Sequence, residues 1–110
     1  MQSSSTLSVV TSEGRYFFQA EDIVRLEASS NYTHIYFTNN KKLLISKVLK
    51  KFVPVLEPLG FLRTHRTHLV NRQHIHSIAA NGNIIMKDAS IAEMSRRMRS
   101  GVMRVLKNVA

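Results

Sequence analysis

The chain has no cysteine and no tryptophan among its 110 residues, and only four glycines and two prolines. The missing cysteine excludes disulfides, thiol catalysis and cysteine-ligated zinc. With so little glycine there is no glycine-rich phosphate loop and no Gly-x-Ser-x-Gly elbow. No Pro/Gly-rich linker, repeat or low-complexity segment divides the chain, so residues 1–110 read as one domain, long enough to bury its own core. No apolar run is long enough for a membrane span, and MQSSSTLSVV lacks the charged-then-apolar order of a signal peptide. The expected location is the cytoplasm. Carboxylates are scarce too. Glu21-Asp22 is the one adjacent acidic pair, and in a strand its two side chains would point to opposite faces. The expectation is therefore no enzyme and no cofactor.

What is abundant is positive charge. Sixteen Lys and Arg face seven Asp and Glu, for a net +9, and the imbalance is uneven. Residues 1–40 carry two bases against four acids (−2). Residues 41–110 carry fourteen bases against Glu57, Asp88 and Glu93 (+11). So lopsided a field attracts polyanions, nucleic acid first and an anionic membrane surface second.

Period-two patterning dominates the chain. Strands are expected over Leu7–Val10, Tyr16–Phe18, Ile23–Ala28, Tyr32–Phe37, Lys42–Ile45, Ile75–Ala80 and Asn83–Met86. Turns are expected at Ser12-Glu13-Gly14, Asn39-Asn40-Lys41 and Asn81-Gly82. Ile75 and Ile78 fall on opposite faces at period two, so either a bulge brings both inward or one is exposed. The spacing predicts a helix over about Lys47–Val53, capped by Ser46 and disturbed at Pro54. A second begins after Ser95, with Met94, Met98, Val102 and Val105-Leu106 as its apolar stripe.

The densest block of hydrogen-bond donors is FLRTHRTHLVN, residues 61–71. Two apolar pairs, Phe61-Leu62 and Leu69-Val70, bracket six residues that are all Arg, Thr or His. Anchored on both sides, such a block is either a solvated bend or a reading surface held stiffly against an anion. The histidine pairs His65-x-x-His68 and His74-x-His76 have ligand-like spacing. Arg63, Arg66 and Arg72 stand beside them, however, and no carboxylate is near in sequence, so no metal is expected. The basic residues sort by reach. Lys41 and Lys42 at a turn and Lys47, Lys50 and Lys51 on a helix suit phosphates. Asn31, Arg63, Arg66, Arg96 and Arg97 are anchored firmly enough to reach base edges, Arg toward guanine and Asn toward adenine.

DIVRLEASSNYTHIYF, LLISKVLKKF, GFLRTHRTHLVNRQHIHSI and IAEMSRR stand in the order and spacing of the LytTR domain. The chain resembles that family, the DNA-binding domain of LytR/AlgR-class bacterial response regulators, over about residues 15–100. FLRTHRTHLVN carries the resemblance most specifically. Thr67 stands where serine is usual, and Pro54 interrupts a helix that is normally continuous. The resemblance implies a mainly β, elongated fold of small packed, mostly antiparallel sheets with one or two short helices. It implies that loops read successive major grooves of double-stranded DNA, here through Asn31, Thr33 and His34 of the Asn31 to His34 loop, Arg66 and Arg97, with Arg63, Thr67 and Arg96 on the DNA backbone. It further implies direct-repeat targets, a dimer on DNA, and a receiver domain upstream in a longer chain, since these 110 residues include none.

Two other classes fit the charge. A membrane-surface module would use the basic helix after Ser95, which has no Trp or Phe to insert. An RNA-binding module would need exposed aromatics for stacking, and the three tyrosines and five phenylalanines sit mostly in core-like alternation.

Overall fold

Apolar residues recurring over residues 23–37 build the central hairpin of the fold. Leu26 and Ile35 lie opposite each other in register and are fully buried. The computed structural model describes residues 5–107. Among them, β1 (Thr6–Thr11) and β2 (Gly14–Gln19) form a two-stranded hairpin. A five-stranded antiparallel sheet follows, made of β3 (Ile23–Ser29), β4 (Tyr32–Phe37), β5 (Lys42–Ile45), β6 (Phe61–His65) and β7 (His68–Asn71), in the order β5-β4-β3-β7-β6. A third sheet holds β8 (Ile75–Ile78), β9 (Ile84–Met86) and β10 (Ile91–Ala92). Helices α1 (Val53–Leu56) and α2 (Arg96–Leu106) complete an elongated, mostly β body of 46 × 38 × 24 Å.

Two cores lie on opposite faces of the five-stranded sheet. Leu26, Ile35, Phe61 and Leu69 face the first, with Leu7 and Val9 of β1 and with Leu49, Phe52 and Leu56. Val24 and Val70 face the second, with Ile84, Met86, Ala92 and Val102. Strand β7 is buried on both faces because alternate residues serve different cores, which is why Leu69-Val70 reads as a continuous apolar pair.

The segment after β5 departs from the sequence expectation. In place of a helix over Lys47–Val53 there is a 3-10 turn at Leu49–Lys51, then α1, then a 3-10 turn at Glu57–Leu59. Ser46 caps no helix. Pro54 lies in the first turn of α1, where its missing amide hydrogen has no helical partner to lose, and Pro58 opens the next turn in the same way. Each proline starts a new turn instead of bending a continuous one. Leu49, Phe52 and Leu56 still reach the core, while Val48 and Val55 are left exposed.

The other helix starts where its sequence indicates. Ser95 caps α2, its Oγ accepting the Met98 amide at 3.2 Å, and Met98, Val102 and Leu106 pack on the second core. A register shift between Ile75 and Ser77 lets both Ile75 and Ile78 join that core, which settles the choice in favour of the bulge. At the β8–β9 turn Gly82 has φ +96°, and a Cβ there would lie 2.9 Å from the Arg99 guanidinium. Glycine lets the turn form and lets α2 approach it.

Candidate nucleic-acid interface

Antiparallel pairing decides which turns share an end of the sheet. Ser29 pairs with Tyr32, so Ser30 and Asn31 form a two-residue turn, with Ser30 at φ 56°. His65 pairs with His68, leaving Arg66 and Thr67 as the other tight turn. Glu27 pairs with His68, and the Ala28 amide donates to the Thr67 carbonyl at 2.8 Å. The two turns therefore stand side by side, about 10 Å apart at two strand spacings. Lys47 comes to the same end, because the Thr33 hydroxyl donates to its carbonyl at 2.7 Å. So does the start of α2. The Ser95 amide donates to the Thr64 carbonyl, and the Thr64 hydroxyl donates to the Glu93 carbonyl, both at 2.8 Å. A shallow cleft lined by Leu62, Arg63, Arg97 and Met98 continues this surface.

The donor block is thus a β-hairpin and not an open loop, and most of it is committed internally. Thr64 and His68 are buried. Arg63 is not positioned as a phosphate contact. Its Nε donates to the His65 carbonyl at 2.9 Å and its Nη2 to the Arg66 carbonyl at 2.6 Å, so its fork braces the turn. Thr67 Oγ1 lies between His65 Nδ1 (2.7 Å) and His68 Nδ1 (2.9 Å), again an internal role. Asn71 is buried too, with Nδ2 donating to the carbonyls of Ala20 and Ile23 and Oδ1 accepting the Gln73 amide. Only Arg66 projects from the block. It is exposed, and its guanidinium has no partner among the described residues.

The other candidates divide in the same way. Asn31, Arg96 and Arg97 are exposed at the shared end. Thr33 is fully buried and cannot touch a base; its hydroxyl instead holds Lys47 in place. His34 is half-buried on the sheet face beside Glu27, away from the turn, with Nδ1 buried and unpartnered. Lys50 and Lys51 are exposed on the 3-10 turn that follows Lys47, and Lys51 shares a groove with Lys47 beside β1. Lys41 and Lys42 do not join them. Lys42 pairs with Tyr36, about 16 Å along β4 from Asn31, at the opposite end of the sheet.

Behind the Arg66 turn lies a polar cluster that sequence reading missed. Arg25, only 7% exposed, stacks over the Tyr36 ring at 4.0 Å and donates to Glu27 at 2.6 Å and to Ser90 at 3.1 Å. Burial raises the Glu27 carboxyl, but the Arg25 hydrogen bond and the neighbouring positive groups outweigh it and hold the acid below its usual range. Burial pushes the His68 imidazole down, only partly offset by Glu27. The expectation of no metal assumed that no carboxylate lies near the histidines. The fold removes that premise: Glu93, from the segment before α2, comes to within 4.8 Å of both His65 and His68 in ligand-atom separation. Nothing in the local sequence signals this, because it depends on the Thr64–Glu93 staple between distant strands.

With this geometry the family comparison is decisive: a model of the LytTr DNA-binding domain matches residues 13–107. The chain belongs to the LytTR family of DNA-binding domains. Among solved structures, this LytTR chain is similar to the LytTr DNA-binding domain of a protein described as a methyl-accepting/DNA response regulator from Bacillus cereus. The TM-score is 0.79 at 21% identity, over 96% of this chain and 100% of that one. That likeness establishes the shared fold. No curated protein matches the chain.

Proposed function

We propose that this LytTR domain binds double-stranded DNA sequence-specifically, as the output domain of a bacterial two-component response regulator working in the cytoplasm. The observation that carries the proposal is the convergence on one end of the sheet of exposed Asn31, Arg66 and Arg97, unpartnered among the described residues, flanked by Lys47, Lys50, Lys51 and Arg96. Side chains held on stiff turns lose little freedom on binding, as base reading requires. Direct repeats, a dimer on DNA and an upstream receiver domain belong to the same proposal and rest on the family resemblance.

The membrane alternative loses support because Met94, just before α2, and Met98, Val102 and Leu106 of its apolar stripe are packed in the second core, which leaves Val105 alone exposed among these residues. Among the described residues no helix is long and apolar enough to cross a bilayer. For the RNA alternative the structure corrects the expectation of core-like aromatics. Phe17 is 66% exposed, and Tyr16 and Tyr32 are exposed around one depression. Comparing binding to duplex DNA, single-stranded RNA and anionic vesicles at one salt concentration separates the three. Duplex DNA should bind tightest, and preference for RNA or vesicles would overturn the proposal.

Salt dependence tests the phosphate path. Charge reversal at Lys50 and Lys51 together should flatten the slope of log K against log salt by about 1.8, at about 0.9 per lost contact, without changing sequence preference. Reversal at Lys41 and Lys42, more than a Debye length from the turns, should leave the slope nearly unchanged. The opposite ranking in a salt titration would move the path to the other end of the sheet.

A further inference from the structure

We propose that His65, His68 and Glu93 form a binding site for a zinc-class divalent ion at the root of the Arg66 turn. Their ligand atoms all lie within 4.8 Å of one another. Around a tetrahedral zinc with bonds of about 2.0–2.1 Å, ligand atoms sit roughly 3.3 Å apart, so closing on an ion requires only small movements. Glu93 can supply most of that movement, since it is exposed and its carboxylate has no ion-pair partner among the described residues. Its backbone is fixed by the Thr64 staple, so the carboxylate is delivered to the histidines and only its side chain must swing.

The hydrogen bonds behind the two rings point the same way. Thr67 Oγ1 faces Nδ1 of both His65 and His68, and one hydroxyl proton cannot serve two ring nitrogens. The oxygen can instead accept from both rings, if each carries its proton on Nδ1. Each ring then keeps Nε2 as a lone pair, the outer-partner arrangement that orients metal-binding histidines, and His68 must turn Nε2 away from Glu27 Oε1, 3.5 Å off, to use it. His65 Nδ1 also receives the Thr67 amide at 3.1 Å, a contact the ring gives up when it carries its proton on Nδ1.

Of the arginines that argue against a cation on sequence grounds, Arg63 and Arg72 are turned onto backbone carbonyls, while Arg66 projects into solvent, which screens its charge. Glu27 neutralises Arg25, and the Arg63 fork is spent on two carbonyls of the turn. Two imidazoles and a carboxylate suit zinc and its borderline neighbours, while magnesium prefers an all-oxygen shell. An ion here would tie the Arg66 turn to the segment leading into Arg97. That consequence rests on the DNA-reading proposal; the site itself does not.

The test is calorimetric titration of Zn²⁺, with Mg²⁺ as a control, into the intact chain without DNA. One Zn²⁺ per chain is expected, with no comparable Mg²⁺ uptake. Glu93→Gln and His65→Ala should each weaken zinc at least about tenfold, since losing even an outer partner costs that much. The double variant His74→Ala/His76→Ala, which removes the other spaced pair, should bind zinc as wild type does. Thermal melting with zinc should raise the midpoint of wild type and leave that of the folded Glu93→Gln protein unmoved. No saturable zinc uptake, or wild-type affinity in Glu93→Gln and His65→Ala, would overturn the site. With no DNA present, either result leaves the DNA-binding proposal standing.

Discussion

Leu69→Ala should lower unfolding free energy by about 2–5 kcal/mol, the range for truncating a fully buried leucine where the surroundings collapse only partly. Leu69 is 0% exposed, pairs with Leu26 on one side and Arg63 on the other, and packs in the first core. A domain of this size has about 5–15 kcal/mol in total, so the loss would be a large fraction of it. The strand that carries Leu69 also carries one leg of the Arg66 turn. DNA affinity should therefore fall along with stability, even though Leu69 touches no ligand. Urea unfolding measures the first effect as a lower midpoint at unchanged slope. A midpoint equal to that of wild type would show that the hairpin does not depend on this contact.

Arg66→Lys should weaken binding to the cognate duplex by about 1–3 kcal/mol and barely affect scrambled duplex. The charge is kept, but a lysine ammonium cannot reproduce the planar two-donor fork that matches guanine. The motive is positional. Arg66 sits at the tip of a two-residue turn whose carbonyl is held by Arg63, and its own guanidinium is unpartnered among the described residues. Affinities for cognate and scrambled duplexes at matched salt decide the matter. Equal losses on both would make Arg66 a phosphate contact.

The neighbouring Arg63 shows why a sequence alone could not separate these roles. Arg63 and Arg66 are three residues apart, have the same chemistry and lie inside the same apolar brackets. In the sequence they are equivalent donors. Strand pairing puts Arg66 at the turn, whereas Arg63 lies on β6 and folds back onto the turn carbonyls. Thr33 and Asn31 divide in the same way, one buried by the alternation of β4 and the other left in the turn.

By itself the sequence determined the absence of thiol chemistry and the basic character of residues 41–110, because composition carries these directly. Period-two alternation located most strands, and Ser95 with the stripe from Met94 to Leu106 located α2, because cap chemistry and periodicity are local signals. The ordered motifs carried the LytTR resemblance that the family comparison bears out. The tertiary structure alone decided which turns meet at one end, that Lys41 and Lys42 lie at the other, and that Glu93 reaches two histidines of a distant strand pair. It also decided that Pro54 opens a turn rather than bending a helix. These outcomes depend on strand order, register and packing between segments far apart in the chain, and local propensity holds no record of such contacts.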